Sequence, residues 1–215
     1  MMRTYKVETE DLVEKVYKNI KQMILKRELI PGQKLTQEDM ARLLGVSRTP
    51  LLSAFSKLEK EWLVESRPRR GYYIRELSRE DELNLFDIRL RLEPLGAGKA
   101  AVNGNASEKT QLMKLLENVP DFDCEGSRKL FNDLDYNFHG QVMAMSRNNM
   151  LEMMLSSYNI ISLSNQDEIH IDCKKSMEGH WAIAKAIYEG DPEAAEKTML
   201  EHIGIGRNRI LEQRF

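Results

Sequence analysis

The chain has 215 residues, 41% hydrophobic and 31% charged. No window approaches the roughly 18 consecutive apolar residues of a membrane span, and the start MMRTYKVETEDL has no apolar signal-peptide core. These features predict a globular cytoplasmic protein with no membrane partner. Only two cysteines occur, Cys124 and Cys173, outside any CxxC spacing, which argues against a disulfide framework and a thiolate zinc site. The net charge of −2 is unevenly spread: residues 1–78 hold 16 Lys+Arg against 11 Asp+Glu, the remainder 16 against 23. A basic front and an acidic back suggest that the front meets a polyanion such as DNA.

In chain order, Leu12, Val16, Ile20, Met23 and Ile24 recur at helical spacing, and the Pro31-Gly32 pair predicts the end of a first helix near Leu29. Thr36 followed by Asp39 is a capping signature. Met40, Leu43 and Leu44 then form a short apolar face before Gly45, a natural C-terminal stop. Ser47 is a candidate N-cap, Pro50 is tolerable in a first turn, and Leu51, Phe55, Leu58 and Trp62 follow at helical spacing. The period then changes. Leu63–Ser66 and Tyr72–Arg75 are β-prone runs around Arg67-Pro68-Arg69-Arg70-Gly71, which reads as a hairpin with an arginine-rich tip. Three helices and a hairpin outline a winged helix-turn-helix.

Ser78 with Asp81 opens a new helix, and only helical patterns follow, at 79–102, 108–118, 125–146, 149–164, 174–189 and 192–212. Turn signals stand at Asn103-Gly104-Asn105, Val119-Pro120-Asp121, Arg147-Asn148-Asn149 and Gly190-Asp191-Pro192. The predicted fold class is therefore mainly α. A winged helix-turn-helix occupies 1–77, and an all-α helical bundle occupies 78–215.

In a helix-turn-helix the first residues of the second helix face base edges, which here are Ser47, Arg48 and Thr49, with Ser53, Ser56 and Lys57 further along. Arg48 suits guanine in the major groove, Ser47 and Thr49 suit phosphates at the helix N-terminus, and Arg67, Arg69 and Arg70 suit the DNA backbone or minor groove. Each feature alone is explained more plainly as a capped surface helix or a solvated basic loop. Their order and spacing together favour double-stranded DNA.

LIPGQKL, ARLLGVSRTP and EKEWLVESRPRRGYYI resemble the DNA-binding signature of the GntR family of bacterial transcription regulators across residues 24–75. The resemblance implies DNA contacts by Ser47, Arg48, Thr49, Arg70 and Gly71. The chain departs from the family pattern at Leu52, where an Arg is common, and at Ser53, where a Glu is usual. The family's consensus operator is therefore not assumed.

The helical half places polar residues where a core is expected. Asp135 and His139 are four apart and share a face with Phe131, Phe138, Val142 and Met143. His180 lies with Ile183, Ala184 and Ile187, and His202 with Ala195, Thr198, Met199 and Ile205. If the last two helices form an antiparallel hairpin about Gly190, these histidines stand about 15 Å and about 18 Å from the turn at about 1.5 Å per residue. Unsatisfied buried imidazoles would cost on the order of 1–3 kcal/mol each, so a shared divalent metal partner is favoured over separate backbone partners. Arg89 also faces inward, among Leu85, Leu92 and Gly96, and either pairs with Glu93 one turn on or awaits an anion.

DIRLRLEPLGAGKA, DYNFHGQVMAMSRNN and EGHWAIAKAIYEGDPEAAEKTMLEHI are similar to the FCD effector domain of the FadR-type GntR branch, in its smaller, six-helix, VanR-like variety. The resemblance implies that Asp135, His139, His180 and His202 bind a divalent transition metal ion, zinc first and nickel or manganese next. It also implies an effector role for Arg89. The expected function is a ligand-responsive regulator, a repressor that binds a palindromic operator as a homodimer and senses a small organic acid. The chain is expected not to be an enzyme. A competing reading makes the Asp and three His a metal-dependent hydrolase site, although no further carboxylate or His is placed as a general base. A third keeps the regulator and leaves the four residues metal-free.

Overall fold

The computed structural model describes residues 9–117, 128–156 and 173–212. Cys124, His170, the Val119-Pro120-Asp121 turn and the second half of the expected 149–164 helix lie outside the described residues. The chain divides into two compact units, Met1–Glu76 and Leu77–Phe215.

In the first unit, α1 (Thr9–Leu25) packs on α3 (Arg48–Lys60), with α2 (Gln37–Leu44) between them in sequence. The spacing of Val16, Ile20 and Ile24 puts one stripe of α1 in the core, where all three are buried. Helix α1 ends at Leu25, not near Leu29 as the apolar pattern suggests. Arg27 turns left-handed, the Glu28 and Leu29 amides return to the Met23 carbonyl, and Leu29 is buried after the helix has stopped. Thr36 caps α2 by accepting from the Asp39 amide at 3.2 Å, and Gly45, at φ 66°, closes it. Leu43, expected on the buried face, is 63% exposed, because only the Met40 side of so short a helix meets the core.

Leu51, Ala54, Phe55 and Leu58 form the buried face of α3. Each fully buried large apolar side chain stabilises the unit by about 1.5–3 kcal/mol. Trp62 does not extend that face. It follows the helix at φ 64°, 55% exposed, with the Arg75 guanidinium 4.4 Å from its ring centroid. The hairpin of β2 (Val64–Arg67) and β3 (Gly71–Ile74) is joined by a two-residue strand that the pattern did not predict, β1 (Lys34–Leu35). The antiparallel sheet has the order β1-β3-β2, with Leu35 opposite Tyr72 and Val64 opposite Ile74.

The second unit is helical: α4 (Arg79–Asn103), α5 (Ala106–Glu117), α6 (Arg128–Met145), α7 (residues 149–156), α8 (Cys173–Glu189) and α9 (Pro192–Glu212). Ser78 and Asp81 form a reciprocal capping box at the start of α4. Helix α4 packs along α9 and also meets α6 and α8. Two glycines permit this closeness. A Cβ at Gly96 would lie 2.5 Å from the Met143 sulfur, and one at Gly98 would lie 2.6 Å from Glu196 Cγ. Phe138, Val142, Leu112, Ile183 and Met199 are fully buried in the shared core, and His139 of α6 and His180 of α8 are buried with them.

Candidate functional site

In the helical unit, Asp135 and His139 come from α6, His180 from α8 and His202 from α9. Four separate sequence positions thus converge, with one ligand atom from each lying within 4.8 Å of all the others. The ring centroids of His180 and His202 are 4.6 Å apart, and His139 stands 5.4 Å and 5.3 Å from them. Phe138 and Phe131, both buried, wall the cluster against His180 at 4.4 Å and 6.3 Å between centroids.

The hydrogen bonding of the donor set fits a cation. His180 is fully buried and His139 is 1% exposed, yet all four of their ring nitrogens lack an aligned hydrogen-bond partner among the described residues. Asp135 Oδ1 stands 3.2 Å from His180 Nε2 and 3.7 Å from His139 Nε2, too far out of line to satisfy either. Native interiors rarely leave so many polar atoms orphaned. Three imidazoles and a carboxylate are ligands that zinc, nickel and manganese accept. Metal bonds of about 2 Å would set the ligand atoms roughly 3–4 Å apart, so closure on an ion needs only side-chain adjustment.

The electrostatics favour ligation at His180, His202 and Asp135, whereas at His139 burial is outweighed by Glu93 and Asp135, which raise its pKa, so that a metal must displace a proton there. Burial, added to by the neighbouring His180 and His139, holds His202 well below the ordinary imidazole pKa, and burial also lowers His180. Both therefore carry free lone pairs at neutral pH. Burial alone would raise Asp135, but His139 and His180 outweigh it and hold the carboxylate ionised. Gly179 supplies room on α8, since a Cβ there would meet His202 Nδ1 at 2.5 Å. Nothing in the periodicity singled out that glycine.

Glu93 is the other residue that sequence reasoning did not place in the site. It is fully buried on α4 between Arg89, whose Nε lies 2.5 Å from Oε1, and His139, whose Nδ1 lies 2.6 Å from Oε2. The second contact is short but off the ring N–H direction. Burial would raise the Glu93 pKa, but Arg89 and His139 reverse that and bring it to about 2. Arg89, 5% exposed, therefore has the intrahelical partner that its spacing offered, and it also lies over the Phe86 ring. The only signal for the wider role of Glu93 was its inward spacing four residues after Arg89.

In the first unit, Ser47, Arg48, Thr49, Ser53 and Ser56 are all exposed at the start and along the outer face of α3. Ser47 sits at the N-cap position without a side-chain capping bond, which leaves its hydroxyl available. Lys57 is committed in part, donating to Glu14 Oε2 at 3.0 Å. Between α1 and α3, Leu12, Val13, Ser47, Thr49, Pro50, Ser53 and Lys57 line a groove of about 520 Å³. At the hairpin, Arg69 and Arg70 are exposed beside Gly71, which has φ 94°. Arg67 is instead drawn onto the sheet, 2.5 Å from Glu65 Oε1 and 4.2 Å from the Tyr73 ring centroid.

A three-stranded wing behind a helix-turn-helix, coupled in one chain to a helical unit with a buried polar cluster, defines a DNA-binding regulator with a separate helical domain. Residues 12–74 match the profile of the bacterial regulatory proteins, gntR family, and residues 84–204 match that of the FCD domain. The chain belongs to the GntR family, in the group carrying an FCD domain. It is similar to a "Probable D-xylose utilization operon transcriptional repressor" of Paenarthrobacter nicotinovorans, 28% identical over 80% of this chain and 76% of that protein. The solved structure of E. coli McbR/YncC has a TM-score of 0.81 at 19% identity, over 94% of this chain and 98% of that one. A Streptococcus agalactiae GntR structure is 30% identical with a TM-score of 0.52, over 91% of this chain and 99% of that one.

Members of this family are transcription regulators and not enzymes, and nothing in these matches supports the hydrolase reading. Among the described residues the one additional buried carboxylate at the site, Glu93, already lies against Arg89 and His139 and is not free to act as a general base. Among the described residues no helix is long and apolar enough to cross a membrane.

Proposed function

We propose that the protein is a ligand-responsive repressor that binds a palindromic operator as a homodimer and senses a small organic acid at a metal held by Asp135, His139, His180 and His202. The observation that carries this reading is the convergence of one ligand atom from each of these four residues, on three helices, within 4.8 Å of one another, with the buried His139 and His180 lacking aligned hydrogen-bond partners. Four protein ligands leave positions open on an octahedral ion. A carboxylate effector would fill these, with Arg89 close enough to the site for its charge to be felt by Asp135. The relative of similar length named as a repressor supports the sign of regulation.

On DNA, Arg48 reads a base edge from the start of α3, with Ser47, Thr49, Ser53 and Lys57 along the same face. Arg69, Arg70 and Gly71 approach the backbone from the wing, and Arg67 supports the wing through Tyr73. An effector that prefers one of two conformations shifts the population towards it and so changes operator affinity. Mobility shifts on DNA from the protein's own promoter region, with and without chelator and a panel of carboxylic acids, test the reading. Salt-sensitive, sequence-specific binding that an acid weakens only in metal-loaded protein is the expected result. Its absence would remove the proposal.

A further inference from the structure

Glu93 is a buried carboxylate that uses its two oxygens on two different residues of the site. Oε1 lies 2.5 Å from Arg89 Nε within α4, and Oε2 lies 2.6 Å from His139 Nδ1 across on α6. A ring nitrogen lone pair and a carboxylate oxygen held at 2.6 Å would repel, so Nδ1 must be protonated even though the contact lies off the ring N–H direction, an offset that a small turn of either side chain corrects. The free lone pair of a neutral ring is then at Nε2, the nitrogen that faces Asp135. Arg89 holds the opposite oxygen and keeps the carboxylate from turning away.

We propose that Glu93 is a positioning residue that selects the Nδ1–H tautomer of His139, presents its Nε2 to the metal, and ties that ligand to Arg89 through a single carboxylate. Metal ligands of this type gain orientation and basicity from such outer partners. The arrangement also links the two halves of the proposed effector site. A change in the Arg89–Glu93 pair reaches His139 through one side chain, with no backbone movement required. The inference rests on the metal reading above, and its test separates the two.

The test uses the full chain and Glu93→Gln. The Gln oxygen satisfies the Arg89 donor, so its NH2 group faces His139, which must accept at Nδ1 and carry its proton on Nε2. Long-range 1H–15N correlation spectra of chelator-treated protein, on the alkaline side of the His139 titration, read the tautomer directly. Competition with a chromophoric chelator reads zinc affinity. Wild type is expected to show Nδ1–H. Glu93→Gln is expected to show Nε2–H, with zinc bound about 10–100-fold more weakly and an unchanged circular dichroism spectrum.

Because Glu93→Gln leaves a buried guanidinium without its counter-charge, the double variant Arg89→Met/Glu93→Gln is measured beside it. There the amide oxygen is free to turn to His139, and both the Nδ1–H tautomer and the zinc affinity are expected to recover. An Nδ1–H tautomer persisting in Glu93→Gln, wild-type zinc affinity in that variant, or no recovery in the double variant would overturn the proposal. If wild type bound no zinc, the metal reading would fail while the tautomer still decided the role of Glu93.

Discussion

Gly179 on α8 leaves the space that the His202 imidazole of α9 occupies: a Cβ at Gly179 would stand 2.5 Å from His202 Nδ1 and 3.2 Å from Cγ. Both atoms belong to a short ring packed among other rings, so neither can withdraw freely. Gly179→Ala is therefore expected to displace His202 while leaving every ligand in the chain. Zinc affinity measured by chelator competition should fall at least tenfold, and the melting temperature of chelated protein should also fall, because overpacking costs typically about 1–3 kcal/mol. Unchanged zinc affinity would show that His202 is not held where it must be to ligate.

His180 presents the opposite trade. Both of its ring nitrogens are buried without an aligned partner, an arrangement that is costly without a metal. His180→Leu replaces them with apolar surface beside Phe138 and Ile183. In chelated protein the variant should be more stable than wild type, by on the order of 1–3 kcal/mol in urea unfolding. It should also lose the metal-dependent rise in melting temperature that wild type shows. A variant less stable than wild type under chelation would indicate that the nitrogens are satisfied in solution.

Arg48 and the wing arginines should separate by type of DNA contact. Arg48→Ala is expected to weaken specific operator binding by about 1–3 kcal/mol and to relax preference at one base pair. Arg69→Ala with Arg70→Ala should weaken binding to all sequences and lower the slope of log affinity against log salt by about 2 if each neutralises one phosphate. Fluorescence anisotropy titrations at several salt concentrations decide this. A salt slope unchanged from wild type in the wing variant would place these arginines away from phosphate.

Glu14 holds Lys57 at 3.0 Å on the rim of the groove beside α3. The Glu14 carboxylate is held below its usual pKa chiefly by that Lys57 bond. DNA phosphates must compete with it for the ammonium. Glu14→Gln removes the competing charge and should strengthen operator binding a few-fold at low salt, with the gain shrinking as salt rises. Affinity lower than wild type at low salt would mean that Glu14 positions Lys57 for its contact.

Much of the secondary structure was legible because its signals are local. The Thr36 and Ser78 caps, the Gly45 stop and the change from helical to strand period around the Pro68 turn involve bonds among residues a few positions apart. The six helices of the second unit follow from apolar spacing, within the described residues. Less legible was whatever needs a distant partner. Strand β1 is two residues long and exists by pairing Lys34 and Leu35 with Tyr73 and Tyr72. Trp62 has helical spacing from Leu58 but leaves the helix and takes its place beside Arg75.

The same division holds at the candidate site. By itself the sequence determined that Asp135, His139, His180 and His202 point inward, since helical periodicity assigns a face to each. It also offered Glu93 as a partner for Arg89 one turn away. Only the tertiary structure decided that the four ligand atoms meet within 4.8 Å, that Gly179 makes room for His202, and that Glu93 reaches His139. Periodicity gives a side chain's direction around its own helix axis. Helix packing sets the distances between side chains on different helices, and those distances determine whether inward polar residues form a site.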